Sequence, residues 1–150
     1  MRALFGRRFF IVVTVAAALT LPLTALWAQS SDRPALKQML AHTRTQITEI
    51  STANAKALMG TPGTVFVDVR SDAEWAGGHL PGAKHLDRGK LEFNVEQAIP
   101  DKGTPIVVYC KSGDRGALAT RTLMDMGYTN VKNMAGGYVG WAKAGYEVAK

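Results

Sequence analysis

Between residues 46 and 150, short apolar runs alternate with stretches of helical period. The runs at 64–69 (TVFVDV) and 105–109 (PIVVY) are β-branched and almost wholly apolar, the pattern of strands covered on both faces. Residues 46–50, 83–86 and 131–134 predict three further strands. Between them, Ser51 caps a helix through Met59 that Gly60 closes, residues 72–76 make one helical turn, and 91–99 form a helix ended by Pro100. Ala119, Leu123 and Met126 recur at core spacing within 117–126, with Gly127 as the stop. A last helix covers 137–144, and Gly77-Gly78-His79-Leu80-Pro81-Gly82 reads as a loop. Ahead of these elements, Ser31 and Asp32 can cap a helix whose early proline is Pro34. Leu36, Met39, Leu40 and Ile47 give that segment, 29–45, an amphipathic stripe that predicts packing on the domain. Strand and helix alternate without repeats, low-complexity tracts or an internal linker. The prediction is an α/β domain over 46–150, built on a largely parallel sheet covered on both faces.

The first 28 residues follow a different pattern. Arg2, Arg7 and Arg8 precede an uncharged apolar stretch at 9–21, which Pro22 interrupts, and Leu26-Trp27-Ala28 offers a cleavage site before Gln29. This order predicts a signal peptide over 1–28 and a periplasmic or secreted protein, with no stable membrane span after cleavage near Ala28. A retained membrane anchor is the alternative, but the stretch falls short of the roughly 20 apolar residues that a spanning helix needs. The leader also carries part of the formal net charge of +6: without its three arginines, 15 basic residues face 12 acidic ones. That balance, spread along the chain, does not point to a nucleic-acid partner. A length of 150 residues supports one ordinary domain. His42, His79 and His85 lack ligand-like companions, so neither a metal nor another cofactor is expected.

Cys110 is the chain's single cysteine, so an internal disulfide is impossible and the fold must rest on its core. A lone thiol in an oxidising compartment is a liability unless it is buried or used. Cys110 ends the PIVVY strand and is followed by Lys111-Ser112-Gly113-Asp114-Arg115-Gly116 and then a helix. In open α/β sheets ligands bind beyond the carboxyl ends of strands. A strand, a glycine-bearing loop and a helix N-terminus bring N–H groups together on an anion. Those donors, with Lys111 and Arg115, favour a thiolate and predict a nucleophilic Cys110. A buried, inert cysteine is the alternative, against which the two cations and two glycines weigh. Asp114 weighs the other way, unless its carboxylate points outward or pairs with Arg115.

Three groups of residues resemble the motifs of rhodanese domains. Asp68-Val69-Arg70, Glu74-Trp75 and Gly78-His79-Leu80-Pro81-Gly82-Ala83 resemble the segment DxR…E(Y/F/W)xxGH(I/L)xGA. Tyr109 to Gly116 (YCKSGDRG) resembles the active-site loop CxxGxR followed by a small residue. Met134-Ala135-Gly136-Gly137-Tyr138, Trp141 and Gly145-Tyr146 resemble the closing motif GGxxxWxxxGY. Together they span roughly residues 47–148 in a single-domain arrangement. The resemblance implies a rhodanese-like three-layer α/β/α fold around a five-stranded parallel sheet. It also implies that Cys110 carries a persulfide, formed from thiosulfate or a similar donor and discharged to cyanide or a thiol. Lys111, Ser112, Gly113, Asp114 and Arg115 would then form the substrate-binding loop. The sequence departs from the pattern at Gly116, where serine or threonine is frequent, and at Asp114, which adds negative charge. Both bear on the preference for thiosulfate. Asp68, Arg70 and Glu74 are expected to hold the loop after the strand, His79 to be a hydrogen-bonding structural histidine, and Trp75 and Trp141 to pack.

The sequence leaves two rival functions open. One is a sulfur-carrier or binding module that serves a protein sulfur acceptor with little turnover. The other is a phosphatase or arsenate reductase, whose loop has the form CxxxxxR. Only four residues separate Cys110 from Arg115 here, and a shorter loop encloses a terminal sulfur more readily than a tetrahedral phosphate.

Overall fold

The apolar runs at 64–69 and 105–109 become neighbouring interior strands of the sheet. The computed structural model describes residues 33–150; the expected leader at 1–28 and the caps Ser31 and Asp32 lie outside the described residues. Helix α1 (Pro34–Arg44) is followed by β1 (Thr48–Ile50), α2 (Thr52–Leu58), β2 (Val65–Asp68), α3 (Asp72–Ala76) and β3 (Lys84–His85). A 3₁₀ turn (Arg88–Lys90) leads into α4 (Leu91–Ala98), β4 (Ile106–Tyr109), α5 (Asp114–Asp125), β5 (Val131–Met134) and α6 (Gly137–Lys143). The five strands lie in the order β1-β5-β4-β2-β3, and every pairing is parallel. The expected α/β class and five-stranded parallel sheet are therefore present.

Period-two alternation sends successive residues of each strand to opposite layers. Val67 and Val69 of the β2 segment and Ile106, Val108 and Cys110 of the β4 segment face Leu91, Val95, Ala119 and Leu123 of α4 and α5. Phe66, Val107, Tyr109 and Met134 face the other way, against Ala55 of α2 and Trp141 of α6. The amphipathic α1 packs along α5. Among the described residues no helix is long and apolar enough to cross a membrane.

One polar pair is enclosed within the second layer. Arg70 donates to Asp68 from Nε at 2.9 Å and from Nη2 at 2.6 Å, and Nη2 also reaches the Gly78 carbonyl at 2.7 Å. The guanidinium lies 4.1 Å from the ring centroid of Tyr138. Asp68 and Arg70 are both buried, so the pair joins the end of β2 to the Gly78 loop in a place that water does not reach. Across the same loop, the Tyr109 hydroxyl accepts the Leu80 N–H at 3.1 Å. An antiparallel bridge between His79 and Ala149 brings the end of the chain back over it.

The clearest departure from expectation is the start of α5. The sequence places the helix at 117–126, whereas it begins at Asp114. Gly113, at φ +107°, takes a left-handed conformation that turns the chain directly from the strand end into the helix. The three added residues bring the N-terminus of α5 to the strand end that bears Cys110.

Removing the Asp68 carboxylate leaves the Arg70 charge buried without its partner. Asp68→Ala should lose about 3–5 kcal/mol of stability in urea unfolding, and Asp68→Ala/Arg70→Met should recover part of that loss.

Candidate active site

Cys110 follows the last residue of β4 and is only 1% exposed. The Gly113 N–H donates to its Sγ at 3.2 Å. This contact is made across a turn of three residues, and the left-handed Gly113 allows it. A Cβ at Gly113 would also lie 3.3 Å from the Gly136 nitrogen. Beyond it, the first turn of α5 supplies N–H groups that have no acceptor within their own helix, together with the positive end of its dipole.

The carbonyl side of the same turn is held by the start of α6. Tyr138 N–H donates to the Cys110 carbonyl at 2.7 Å and Val139 N–H to the Lys111 carbonyl at 3.0 Å. Gly137, at φ +55°, makes the approach possible, since a Cβ there would overlap the Cys110 carbonyl and crowd that of Lys111. From below, Asn133 of β5 donates through Nδ2 to the Gly113 carbonyl at 3.1 Å and to Glu49 Oε1 at 2.7 Å. Gly116 faces Asn133 so closely that a Cβ would collide with its Oδ1. A residue with a Cβ at position 116, where the family pattern often has a hydroxyl, would therefore need the Asn133 side chain to shift.

The charged residues of the loop have partners outside it. Arg115 forms a two-pronged pair with Glu74 of α3, at 2.7 and 2.8 Å. Glu74 also completes a capping box with Ser71 at the start of α3. The Arg115 hydrogen bond, opposed by burial and reinforced by the Ser71 N–H, pushes the Glu74 carboxyl down to about 2. Asp114 does not pair with its neighbour Arg115. It points outward and accepts from Arg44 Nη2 of α1 at 2.8 Å. The Asp114 bond, against some burial and aided by Glu49, raises the Arg44 pKa above its ordinary value. Lys111 and Ser112 are exposed.

Lys111, Ser112, Gly113, Asp114 and Arg115 therefore all lie around Cys110, but only the Gly113 N–H bonds to the sulfur. Asp68 and Arg70 hold the neighbouring loop, as expected. Glu74 belongs instead with Arg115. His79 stacks on Trp75, with ring centroids 3.5 Å apart, and its Nδ1 lies 3.4 Å from the Trp75 carbonyl oxygen, so it is engaged in structure. Trp141 is buried and donates from Nε1 to the Glu147 carbonyl at 2.8 Å. Arg44, Glu49 and Asn133 carried no sequence signal, because their contacts join positions far apart in the chain. Among the described residues no cluster of His, Cys, Asp and Glu could hold a metal ion.

A family profile described as Rhodanese-like domain matches residues 51–144. The thiosulfate sulfurtransferase GlpE of Tolumonas auensis is 32% identical over 64% of this chain and 89% of its own length. Among solved structures, a polysulfide-sulfur transferase homodimer from Wolinella succinogenes aligns with a TM-score of 0.67 and 29% identity, over 77% of this chain and 87% of that one. A protein of unknown function from Rhodopseudomonas palustris, described as a possible tyrosine phosphatase, aligns with a TM-score of 0.69 and 33% identity, over 76% of this chain and 93% of that one.

The Glu74–Arg115 pair should give stability its own acid limit. A carboxyl held below its unfolded value of 4.5 contributes fully above that pH. Its contribution is lost as pH falls toward the folded value of about 2. Urea unfolding should show Glu74→Gln less stable than wild type at pH 7, with the gap narrowing below about pH 4.5 and nearly closed near pH 2. A gap that persists unchanged at pH 2 would show that the carboxylate's charge is not what stabilises.

Proposed function

The chain belongs to the rhodanese-like domain family, whose sulfurtransferase members it resembles over most of their length; from that premise we propose that it is an exported sulfurtransferase working through a Cys110 persulfide. The observation that carries the reading is the Gly113 N–H on Cys110 Sγ at 3.2 Å, in a turn only four residues long between Cys110 and Arg115.

In the proposed reaction the Cys110 thiolate attacks the outer sulfur of thiosulfate or a similar sulfane donor. The donor's S–S bond breaks, and sulfite leaves with the bonding electron pair. The persulfide then yields its outer sulfur to cyanide, forming thiocyanate, or to a thiol, and the thiolate is restored. This is covalent catalysis by an activated nucleophile. The Gly113 N–H and the first turn of α5 supply positive potential where negative charge develops, and exposed Lys111 attracts an anionic donor. A buried sulfur under a short turn favours a donor that presents one terminal atom. A small molecule that accepts sulfur fits this description, and so does a protein thiol presented on a narrow segment.

The phosphatase reading is less well supported. An arginine that grips phosphate must offer its guanidinium to the ligand, whereas both Nη atoms of Arg115 are engaged by Glu74.

Intact-mass measurement tests the chemistry directly. Thiosulfate should add the mass of one sulfur atom, cyanide should remove it as thiocyanate, and Cys110→Ser should do neither. Lys111→Ala should raise the apparent KM for thiosulfate, with a smaller effect at high salt. Thiocyanate formation by Cys110→Ser would overturn the mechanism. Export is tested separately by N-terminal sequencing of protein from its native host, where a start near Gln29 is expected. Intact Met1 or Arg2 in the membrane fraction would overturn that part of the proposal.

A further inference from the structure

Helix α1 lies ahead of the residues that match the family, which begin at 51, yet it reaches the Cys110 turn. Arg44, its last residue, meets Asp114 across 70 positions of sequence at 2.8 Å, and its Nε lies 3.4 Å from Glu49. Asp114 opens α5 and directly follows Gly113, the donor to the sulfur. A carboxylate in the first turn of a helix is drawn to the same N–H groups and positive dipole that would receive an anionic ligand. Left to itself, Asp114 would compete for that end and repel a dianion approaching it. Arg44 both neutralises the carboxylate and holds it outward, with the Asp114 side chain 54% exposed.

We propose that Arg44 is a positioning residue for the Cys110 site: by holding Asp114 it sets the charge that an anionic sulfur donor meets, so that α1 completes a site whose cysteine and turn lie within the family match. The inference rests on the sulfurtransferase reading above. It makes Asp114 a tolerated feature of the loop only while Arg44 is present. It also gives the segment before the matched domain a part in donor binding rather than in packing alone.

A charge cycle in the thiosulfate–cyanide assay at low ionic strength tests it. Arg44→Ala should raise the apparent thiosulfate KM about fivefold with little change in kcat, because a carboxylate facing a dianion through solvent costs little more than that. Asp114→Asn should lower KM, Arg44→Lys should stay near wild type, and Arg44→Ala/Asp114→Asn should return to within about twofold of it. All differences should shrink at high salt. A purely structural strut would behave otherwise, since the double variant has lost the same contact and would be no better than Arg44→Ala. An unchanged KM in folded Arg44→Ala, or a double variant no better than the single, overturns the inference. If Arg44→Ala does not fold, Asp114→Asn decides, and a KM that fails to fall overturns it. A wild-type protein that gains no sulfur from thiosulfate would instead overturn the sulfurtransferase reading itself.

Discussion

The turn between β4 and α5 exists because two backbones meet there with no side chain between them. Gly137 approaches the carbonyls of Cys110 and Lys111 to a distance that any Cβ would prevent, and the N–H groups of Tyr138 and Val139 then take those carbonyls. With its carbonyls fixed from outside, the turn can bend at Gly113 and leave that residue's N–H for the sulfur. The rest of the second layer serves this approach. Trp141 anchors α6 in the core, and the Arg70 guanidinium lies against the Tyr138 ring one position beyond Gly137. The site is thus a consequence of close packing between a strand end and a helix start, with the cysteine at their meeting point.

Three ion pairs surround that point, and their burial separates their roles. Asp68 and Arg70 are withdrawn from water, so loss of either leaves an uncompensated charge in a low-dielectric place, and the pair is chiefly structural. Glu74 and Arg115 are half-buried and two-pronged. They tie α3 to the start of α5 and occupy the arginine that the loop would otherwise offer to a ligand. Arg44 and Asp114 are the most exposed. Pairs of that kind contribute little to stability, typically about 0–1 kcal/mol. What they do control is the sign of the local field, because a dianionic ligand responds to each nearby charge twice over.

The sheet was legible because two neighbouring interior strands, β2 and β4, are covered on both faces, and a run such as TVFVDV or PIVVY admits few other readings. Helix starts were less legible. Asp114, Arg115 and Gly116 have no apolar side chain to mark a helical stripe, and what makes them helical is the Gly113 turn and the fit of Gly116 against Asn133. The residues of the candidate site are contiguous in sequence, which is why they could be named together. Their partners were not, because Arg44, Glu74 and Asn133 reach the loop from three separate elements, and Glu49 acts through Arg44 and Asn133. Of these, Glu74 stood in a recognised motif and was expected, with Asp68 and Arg70, to hold the loop after β2. Only the placement of α3 beside α5 reveals Arg115 as the partner.

Thiolates at helix N-termini can serve several chemistries, so the nucleophile alone does not select among them. Selection has to come from what surrounds it. An arginine that is free can close on the oxygens of a tetrahedral anion, and a longer turn can wrap them. Here four residues separate Cys110 from Arg115, and Glu74 keeps that guanidinium to itself at 2.7 and 2.8 Å. The remaining attraction for an anion comes from backbone N–H groups, the helix end and exposed Lys111, none of which demands a ligand with several oxygens in fixed positions. Such a field favours negative charge on a single terminal atom close to Cys110 Sγ. A persulfide carries its charge on one such atom, which makes sulfur transfer the chemistry that best matches the site's small size and its remaining donors.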